Sequence, residues 1–244
     1  MKICVAIPAR YDSFRLPGKP LLKINKKEIL LRTYEGVKKV FKDEDIYVFT
    51  DRQLVKKKLS KKIFNIIVSK KKFTNGTERI AASLKKIKKK YKAILIIACD
   101  NSFVKKTSIL KVIKVFNKIK RNNNYIGATI HKKNNVTKFF KDKSVAKIVL
   151  NKSNDVMYIS RSAIPYKLIN NNFFYTHHGI VLIKTNFLKK YLKIKNSTFQ
   201  IAEDNEWLKF IEYGYKIKSS LVNDISLEIN TTKDLRFYRS KYKN

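Results

Sequence analysis

A loop near the start of the chain concentrates cationic side chains and prolines. The stretch from Ile7 to Leu22 (IPARYDSFRLPGKPLL) contains three of the four prolines, together with Arg10, Arg15 and Lys19. Proline fixes φ and so reduces the entropy that a loop loses on ordering, and three cationic side chains can surround a triphosphate with charge-assisted hydrogen bonds. The loop matches neither the Walker pattern G-x-x-x-x-G-K-[ST] nor the dinucleotide fingerprint G-x-G-x-x-G. The pattern favours a preorganised phosphate-binding loop over its alternative, a solvated basic turn.

The loop requires a scaffold, and strands alternate with helices on either side of it. Apolar runs predict strands at 2–7, 45–51, 63–69 and 91–100, and helical periodicity lies at 28–41, 80–91 and 109–116. This alternation predicts the α/β fold class, with βαβ crossovers and a mostly parallel, Rossmann-like nucleotide-binding sheet. Ligands of such sheets bind at the carboxyl ends of the strands. The loops after Ile7, Thr50 and Ile97 are therefore expected to line the site.

From about residue 122 the predicted strands become shorter. Runs at 125–131, 145–150, 156–160 and 177–183 predict an antiparallel excursion from the parallel sheet at about 122–195. A capping box at Ser197 to Gln200 predicts the start of a helix that passes through Trp207 and stops at Gly214. No repeat or linker divides the chain, so residues 1–244 are expected to form one domain.

The charge of the chain is strongly positive but evenly spread. The 56 Lys and Arg residues against 18 Asp and Glu give a net charge of +38, which is typical of proteins that bind nucleic acid or acidic membranes. Only nine of the 56 are Arg, and the composition is rich in amino acids with A/T-rich codons. No element concentrates Arg with aromatic residues, as a nucleic-acid-binding surface would. Genomic base bias is the favoured explanation, and neither a nucleic-acid nor a membrane partner is expected.

The cysteine content and the hydropathy of the sequence indicate the cellular compartment of the protein. Cys4 and Cys99 lie in apolar strand-like runs and are expected to be buried rather than joined in a disulfide or a metal site. The N-terminus lacks the pattern of a signal peptide, and no apolar run approaches ~18 residues. A cytoplasmic location is expected.

Several motifs occur in the order typical of one enzyme family. They are IPARYDSFRLPGKPL (7–21), FTD (49–51), NGTER (75–79), AKIV (146–149), ISRSAIPY (159–166), HHGI (177–180) and EDNEWLK (203–209). With these motifs the chain resembles the 3-deoxy-manno-octulosonate (Kdo) cytidylyltransferases, or CMP-Kdo synthetases, over nearly its whole length. Ordered matches over ~200 residues are more specific than any single motif.

The resemblance implies transfer of CMP from CTP to the anomeric hydroxyl of a 2-keto sugar acid, Kdo or a related sugar, with release of pyrophosphate. It implies a Mg²⁺-dependent nucleotidyltransferase for lipopolysaccharide or surface-glycan synthesis, acting as a homodimer through the antiparallel excursion. The catalytic residues it implies are Arg10, Lys19 and Asp100. The implied nucleotide-binding residues are Pro8, Ala9, Arg10, Ser13, Arg15, Lys19, Asn75 and Gly76. Arg79, Arg161, His177, Glu203 and Glu206 are the implied sugar-binding residues.

Asp100 and Asn230 are the implied metal ligands, because Mg²⁺ prefers oxygen. For Asp100 the alternative role is the N-cap of the next helix, but that helix is predicted to start nearer Thr107. For His177, the alternative to a sugar-binding role is a purely structural one.

The chain also departs from the family pattern near the expected metal. The family's Q-G-D-E-P reads Ala98-Cys-Asp-Asn-Ser102 here, and the second metal-binding Asp is replaced by Asn230. An amide oxygen can bind Mg²⁺ but brings no charge, and Glu228, two residues earlier, could compensate. Phe14 stands where a small hydroxyl residue is usual.

Three functions therefore stay open from the sequence. The favoured one is an active CMP-sugar synthetase. The second is a diverged nucleotidyltransferase with another sugar or nucleotide, and the third is a non-catalytic basic binding protein.

Overall fold

The computed structural model describes residues 1–13, 15–135, 140–166, 173–223 and 228–242. The strands are β1 (Ile3–Ala9), β2 (Lys23–Ile24), β3 (Lys27–Glu28), β4 (Ile46–Thr50), β5 (Asn65–Val68), β6 (Ala93–Ile97), β7 (Tyr125–Asn135), β8 (Lys147–Leu150), β9 (Val156–Ser160), β10 (Phe173–Lys184) and β11 (Lys216–Leu221). The α-helices are α1 (Ile29–Lys38), α2 (Gln53–Leu59), α3 (Gly76–Ala82), α4 (Lys106–Ile119), α5 (Thr185–Lys190), α6 (Thr198–Ala202), α7 (Leu208–Glu212) and α8 (Thr232–Lys241). Short 3-10 helices lie at Lys19–Leu21, Asp43–Asp45 and Leu84–Lys86.

One mixed sheet forms the centre of the molecule, in the order β11-β7-β10-β6-β1-β4-β5. The pairs β6 with β1, β1 with β4 and β4 with β5 are parallel, as the alternating sequence pattern predicts. Strand β10 is antiparallel to both of its neighbours, β6 and β7. The α/β fold class with a mostly parallel sheet is thus confirmed.

Side chains alternate between two hydrophobic cores, one on each face of the sheet. In β1, Val5 and Ile7 face the core formed with α1, α2 and α4, whereas Cys4 and Ala6 face the core formed with α3, α5 and α7. Both cysteines are free and buried, as expected. The two cores explain why these strands are almost continuously apolar in sequence.

The strands predicted for the antiparallel excursion are joined by antiparallel pairs, β7 with β10, β10 with β8 and β8 with β9. Strand β7 also pairs in parallel with β11 of the main sheet. The β8–β9 hairpin joins the sheet through β8 and β10. Its short strands match the runs at 145–150 and 156–160.

The helix predicted from Ser197 to Gly214 is divided in two. Its capping box is present, but α6 ends at Ala202 and Asp204 adopts a left-handed φ of 46°. Glu203 accepts hydrogen bonds from Ser160 Oγ at 2.6 Å and from Arg161 N at 2.8 Å. These tertiary contacts with the end of β9 accompany the break. In the part of the chain that the structure describes, no helix is both long and apolar enough to cross a membrane.

Candidate active site at the carboxyl ends of the strands

The proline-rich opening loop is tied to the sheet at its start and closed by a hydrogen bond of its own. Tyr11 N donates to Asp51 Oδ1 at 2.8 Å, which ties the loop to the end of β4. Gly18 has a φ of +71°, a conformation that favours glycine, and its N–H donates to Tyr11 O at 2.9 Å. The chain then enters the 3-10 helix that begins at Lys19. Hydrogen bonds at Tyr11 and Gly18 therefore hold the described part of the loop.

Lys19 lies at the centre of a polar cluster at this edge of the sheet. The side chain is buried, and its Nζ lies 2.8 Å from Asp100 Oδ2 and 3.3 Å from Asn230 Oδ1. Asp100 follows β6, and Asn230 directly precedes the N-cap residue of α8. The structure thus brings together a predicted phosphate-binding lysine and both predicted metal ligands.

A small third hydrophobic core brings the segments that carry this polar cluster together. Leu16 of the opening loop packs in one hydrophobic cluster with Ile229 and with Leu235 of α8. Ile229 N also donates to the backbone carbonyl of Asp100 at 3.3 Å. These contacts hold the segment 228–230 between the opening loop and the end of β6.

Glu228 extends the cluster toward β10. Its Oε1 accepts from Gly179 N at 2.8 Å and from Asn101 Nδ2 at 3.5 Å, and its Oε2 accepts from Asn230 Nδ2 at 3.3 Å. Desolvation and the nearby Asp100 raise the pKa of Glu228, while these donors oppose the rise. Desolvation, the largest single effect, lowers the pKa of Lys19, but the combined effects of Asp100, Cys99 and Glu228 raise it by more, so that the net shift is upward. Lys19 is therefore a permanent cation near neutral pH.

The metal ligands predicted from sequence can be tested against the chemistry of this cluster. Asp100 Oδ1 is buried and has no hydrogen-bond partner in the described part of the chain, while Asp100 Oδ2 and the amide oxygen of Asn230 converge on Lys19 Nζ. Asp100 is not a helix N-cap, because α4 starts at Lys106. Within the described ranges, no group of three or more His, Cys, Asp and Glu residues could hold a metal alone. The residues fit Mg²⁺, which binds through one or two carboxylates plus substrate phosphates.

Asn75 and Gly76 form the start of α3 beside β1. Asn75 Oδ1 caps the helix by accepting from Glu78 N at 2.8 Å, and its Nδ2 donates to Tyr191 OH at 2.9 Å. A Cβ added at Gly76 would lie 2.8 Å from Pro8 Cβ, so only glycine allows this close approach. The structure thereby joins three of the predicted nucleotide-binding residues.

A cavity of about 940 Å³ opens beside the opening loop. Its lining includes Arg10, Asp51, Phe73 and Arg79. Arg79 is buried, lies 3.8 Å from Asp51 Oδ2 through its Nη2, and donates to Ser69 O at 3.0 Å. Burial lowers the pKa of Arg79, and Asp51 opposes that shift. Arg79, which the family resemblance assigns to the sugar, shares this cavity with Arg10, which it assigns to the nucleotide.

The remaining predicted loop residues differ in their exposure to solvent. Arg10 and Arg15 are exposed, and Ser13 is partly buried. Ala9 is buried at the end of β1. Phe14 lies outside the described residues.

The predicted sugar-binding residues do not lie in one cluster. Arg161 and Glu203 contact each other, because Arg161 Nε donates to Glu203 O at 3.2 Å in addition to the contact with its carboxylate. Glu206 instead accepts from Thr77 Oγ1 at 2.9 Å, next to Gly76, and burial raises the pKa of Glu206.

His177 lies in a separate small cavity of about 70 Å³ that it shares with Glu228 and Asn230. Its Nε2 is 3.1 Å from Thr129 Oγ1. Burial, with a smaller effect of His131, lowers the pKa of His177 to about 4. The imidazole is therefore neutral near pH 7.

Two functional features were not assigned by sequence reasoning. Asp51 was placed in a motif but given no role, although it links Tyr11 to Arg79, and its position directly after β4 was the available signal. The contact of Asn101 and Gly179 with Glu228 had no signal in sequence, because these residues lie on separate elements.

The chain matches known proteins over nearly its full length. A sequence model of a family described as cytidylyltransferase matches residues 4–218. Similar curated proteins include the 3-deoxy-manno-octulosonate cytidylyltransferase of Parabacteroides distasonis, 29% identical over 242 residues (96% of both chains). That of Thermodesulfovibrio yellowstonii is 32% identical over 246 residues (96% of this chain and 94% of the relative). A solved CMP:2-keto-3-deoxy-manno-octonic acid synthetase, complexed with CTP, superposes with a TM-score of 0.84 at 25% identity, covering 99% of this chain and 98% of that one.

Proposed function

This chain belongs to the cytidylyltransferase family, and we propose that it transfers CMP from CTP to 3-deoxy-manno-octulosonate, with release of pyrophosphate, for lipopolysaccharide synthesis. The observation that carries the proposal is the convergence of Lys19, Asp100 and Asn230 at one edge of a sheet that matches a CTP-bound synthetase over nearly its whole length. The match also spans nearly the full length of the curated relatives.

In this reaction the anomeric hydroxyl of the sugar attacks the α-phosphorus of CTP. A new P–O bond forms while the bond to the β-phosphate oxygen breaks, and negative charge grows on the non-bridging and leaving oxygens. Lys19 and Arg10 would stabilise that charge, since charge-assisted hydrogen bonds are stronger in a site that excludes water. The buried position of Lys19 makes it the stronger contributor, because solvent screens the exposed Arg10.

We extend the proposal to a bound Mg²⁺, held by Asp100 and by the amide oxygen of Asn230. When bound, the ion would neutralise phosphate charge and orient the triphosphate. The partner-free Asp100 Oδ1 in the described part of the chain supports this assignment. Without the metal, Asp100 holds the Lys19 ammonium group in place through their ion pair.

For the nucleotide, we propose that the opening loop and the start of α3 contact cytosine and ribose. Pro8 and Gly76 touch, so backbone groups of both segments can reach the base edge with little help from side chains. Arg79 is proposed to act on this side through Asp51, because both line the cavity that includes Arg10.

For the sugar acid, we propose Arg161, His177, Glu203 and Glu206. Arg161 is the cation available for the sugar carboxylate, and Glu203 orients it. His177 would serve as a neutral hydrogen-bonding partner, as its low pKa requires.

The proposal further includes a cytoplasmic homodimer. Free, buried cysteines are consistent with a reducing compartment. Exposed apolar side chains at the excursion, Met157 of β9 and Tyr166 just after it, support a subunit contact there.

A substrate screen tests the proposed function directly. CTP, UTP, ATP and GTP would each be incubated with Kdo and with related 2-keto sugar acids, and pyrophosphate release measured. We expect turnover with CTP and Kdo, and far less with UTP. Turnover with another pair would support a diverged nucleotidyltransferase. Absence of turnover together with retention of DNA or RNA that falls steeply with salt would instead support a basic binding protein.

A further inference from the structure

Glu228 is held by hydrogen-bond donors alone. Gly179 N, Asn101 Nδ2 and Asn230 Nδ2 all donate to it, and in the described ranges no acceptor lies in hydrogen-bonding contact with its carboxyl group. The geometry therefore places the carboxyl group of Glu228 as an acceptor toward donors from three chain segments.

The contact with Glu228 fixes the orientation of the Asn230 amide. An amide has one accepting and one donating end, and the two are not interchangeable toward a cation. Because Nδ2 donates to Glu228 Oε2, Oδ1 faces Lys19 Nζ at 3.3 Å. The same Nζ binds Asp100 Oδ2 at 2.8 Å, so two oxygens of different chain segments converge on one cationic group. A reversed amide would direct its N–H groups at that group.

We propose that Glu228 is a positioning residue of the cation site: it holds Asn230 with its oxygen toward the cation and supplies the carboxyl group that position 230 lacks. Asp100 Oδ1, buried and without a partner in the described chain, independently indicates capacity for a further cation here. The inference rests on the proposed function in one respect, namely that this site binds a divalent cation together with phosphate. It does not depend on the identity of the base or the sugar.

Exchange of the carboxyl group between positions 228 and 230 tests this role. The set is Glu228→Gln, Asn230→Asp and the double variant, with Mn²⁺ as the probe, titrated by electron paramagnetic resonance in the absence and presence of inorganic pyrophosphate. Glu228→Gln keeps the shape and can still accept from Gly179 N. We expect it to weaken Mn²⁺ binding about tenfold or more, because it removes the carboxyl group and releases the amide of Asn230.

The other two variants separate positioning from a general structural role. Asn230→Asp alone places two carboxyl groups where Glu228 Oε2 and Asn230 Nδ2 are now 3.3 Å apart, so we expect no gain in affinity. The double variant returns one carboxylate to the cluster, and the amide introduced at position 228 can donate to the carboxylate introduced at position 230. We expect it to regain Mn²⁺ affinity to within about threefold of the starting protein.

Asp155→Asn serves as the matched control. Asp155 is a buried carboxylate that pairs with Lys218 of β11 at 2.6 Å, away from the opening loop, and its loss should leave Mn²⁺ binding unchanged. Thermal unfolding of each variant monitors the fold.

Three results would overturn the proposal: Mn²⁺ affinity of Glu228→Gln equal to that of the starting protein, tighter binding by Asn230→Asp alone, or a double variant no better than Glu228→Gln. If Glu228→Gln does not fold, a folded double variant that binds Mn²⁺ normally supports the proposal, and a double variant that fails to fold or to bind overturns it. If the protein does not use CTP or Kdo, the proposed function is contradicted. The Mn²⁺ titration would still be interpretable, because it uses neither compound.

Discussion

At the scale of single residues, the Lys19 side chain is expected to contribute to CTP binding and to the stability of the fold. We expect Lys19→Ala to weaken CTP binding and turnover by ~1.5–3 kcal/mol, roughly 10- to 100-fold, because one charge-assisted contact to phosphate is lost. The variant should also lower the free energy of unfolding, since Asp100 loses its ion-pair partner. Steady-state kinetics and thermal unfolding measure the two effects.

Lys23→Ala is the control for that change. Lys23 is exposed, four residues further along the chain, and its loss should alter neither quantity. Arg10→Ala, at an exposed position, is expected to weaken CTP binding less than Lys19→Ala. If Lys19→Ala has the same kinetics as the starting protein, the opening loop is a solvated basic turn and does not bind phosphate.

The residues that could be predicted are those whose position in the chain reveals their place in the sheet. Lys19 and Asp100 follow obvious strands, so the meeting of their loops was foreseeable. The link from Glu228 to Gly179 was not, because it depends on the three-dimensional course of a segment 49 residues away. A polar contact of this kind leaves no periodic pattern in the sequence.

At the scale of elements, the start of α3 depends on the absence of a side chain at Gly76. We expect Gly76→Ala to cost ~1–3 kcal/mol of stability, because its Cβ would lie 2.8 Å from Pro8 Cβ and would push the helix away from β1. CTP affinity should fall with it, as Asn75 moves. Calorimetry with CTP and thermal unfolding would measure the change.

Ala82→Gly provides the comparison within the same helix. Ala82 is exposed at the last position of α3, and the substitution should cost ~0.5–1 kcal/mol of stability through backbone entropy alone. Its CTP affinity should stay unchanged. An equal loss of affinity in both variants would show that only the stability of α3 matters.

Elements with long apolar runs were predictable, and those set by tertiary contacts were not. Strands β1, β4 and β6 and the helix α4 agree with the sequence pattern because they bury whole faces in the two cores. The break after Ala202 escaped prediction because the contacts of Glu203 with β9 accompany it. Strand β11 (KIKSSL) is short and polar at the sheet edge, so its pattern is weak.

At the scale of the whole molecule, three buried histidines make stability depend on pH. Burial lowers the pKa of His131 and His177 to about 4 and that of His178 to about 3, from an ordinary value near 6.5. Between these values the unfolded chain binds more protons than the folded one, so the free energy of unfolding falls as pH drops from about 6.5 toward 4. We expect a loss of order 1–2 kcal/mol per histidine at about pH 5, measured by urea unfolding.

His131→Asn tests the origin of that loss. His131 Nδ1 lies 2.7 Å from Ser219 Oγ, a contact that Asn can partly replace. The variant should lose less stability than the starting protein between about pH 7 and pH 5. An unchanged pH profile would assign the loss to the other two buried histidines, His177 and His178, whose pKa values are also lowered. The raised pKa values of Glu206 and Glu228 act in the opposite direction and cannot cause it.

The net charge of +38 predicts a further property of the folded molecule. Like charges repel one another more strongly in the compact state than in the unfolded chain, and salt screens that repulsion. We therefore expect the melting temperature to rise when NaCl increases from about 20 to about 200 mM. A falling melting temperature would mean that the surface ion pairs outweigh the repulsion.

The position of β10 between β6 and β7 has a consequence for the newly made protein. The parallel strands β1, β4, β5 and β6 are complete once residue 97 has left the ribosome, but the free edge of β6 pairs with residues 180–184, which are made much later. At translation speeds of ~5–20 residues per second, that apolar edge waits roughly 4 to 17 seconds for its partner. During this interval the nascent chain exposes a strand that is open to wrong pairing, and chaperone protection would be needed most there.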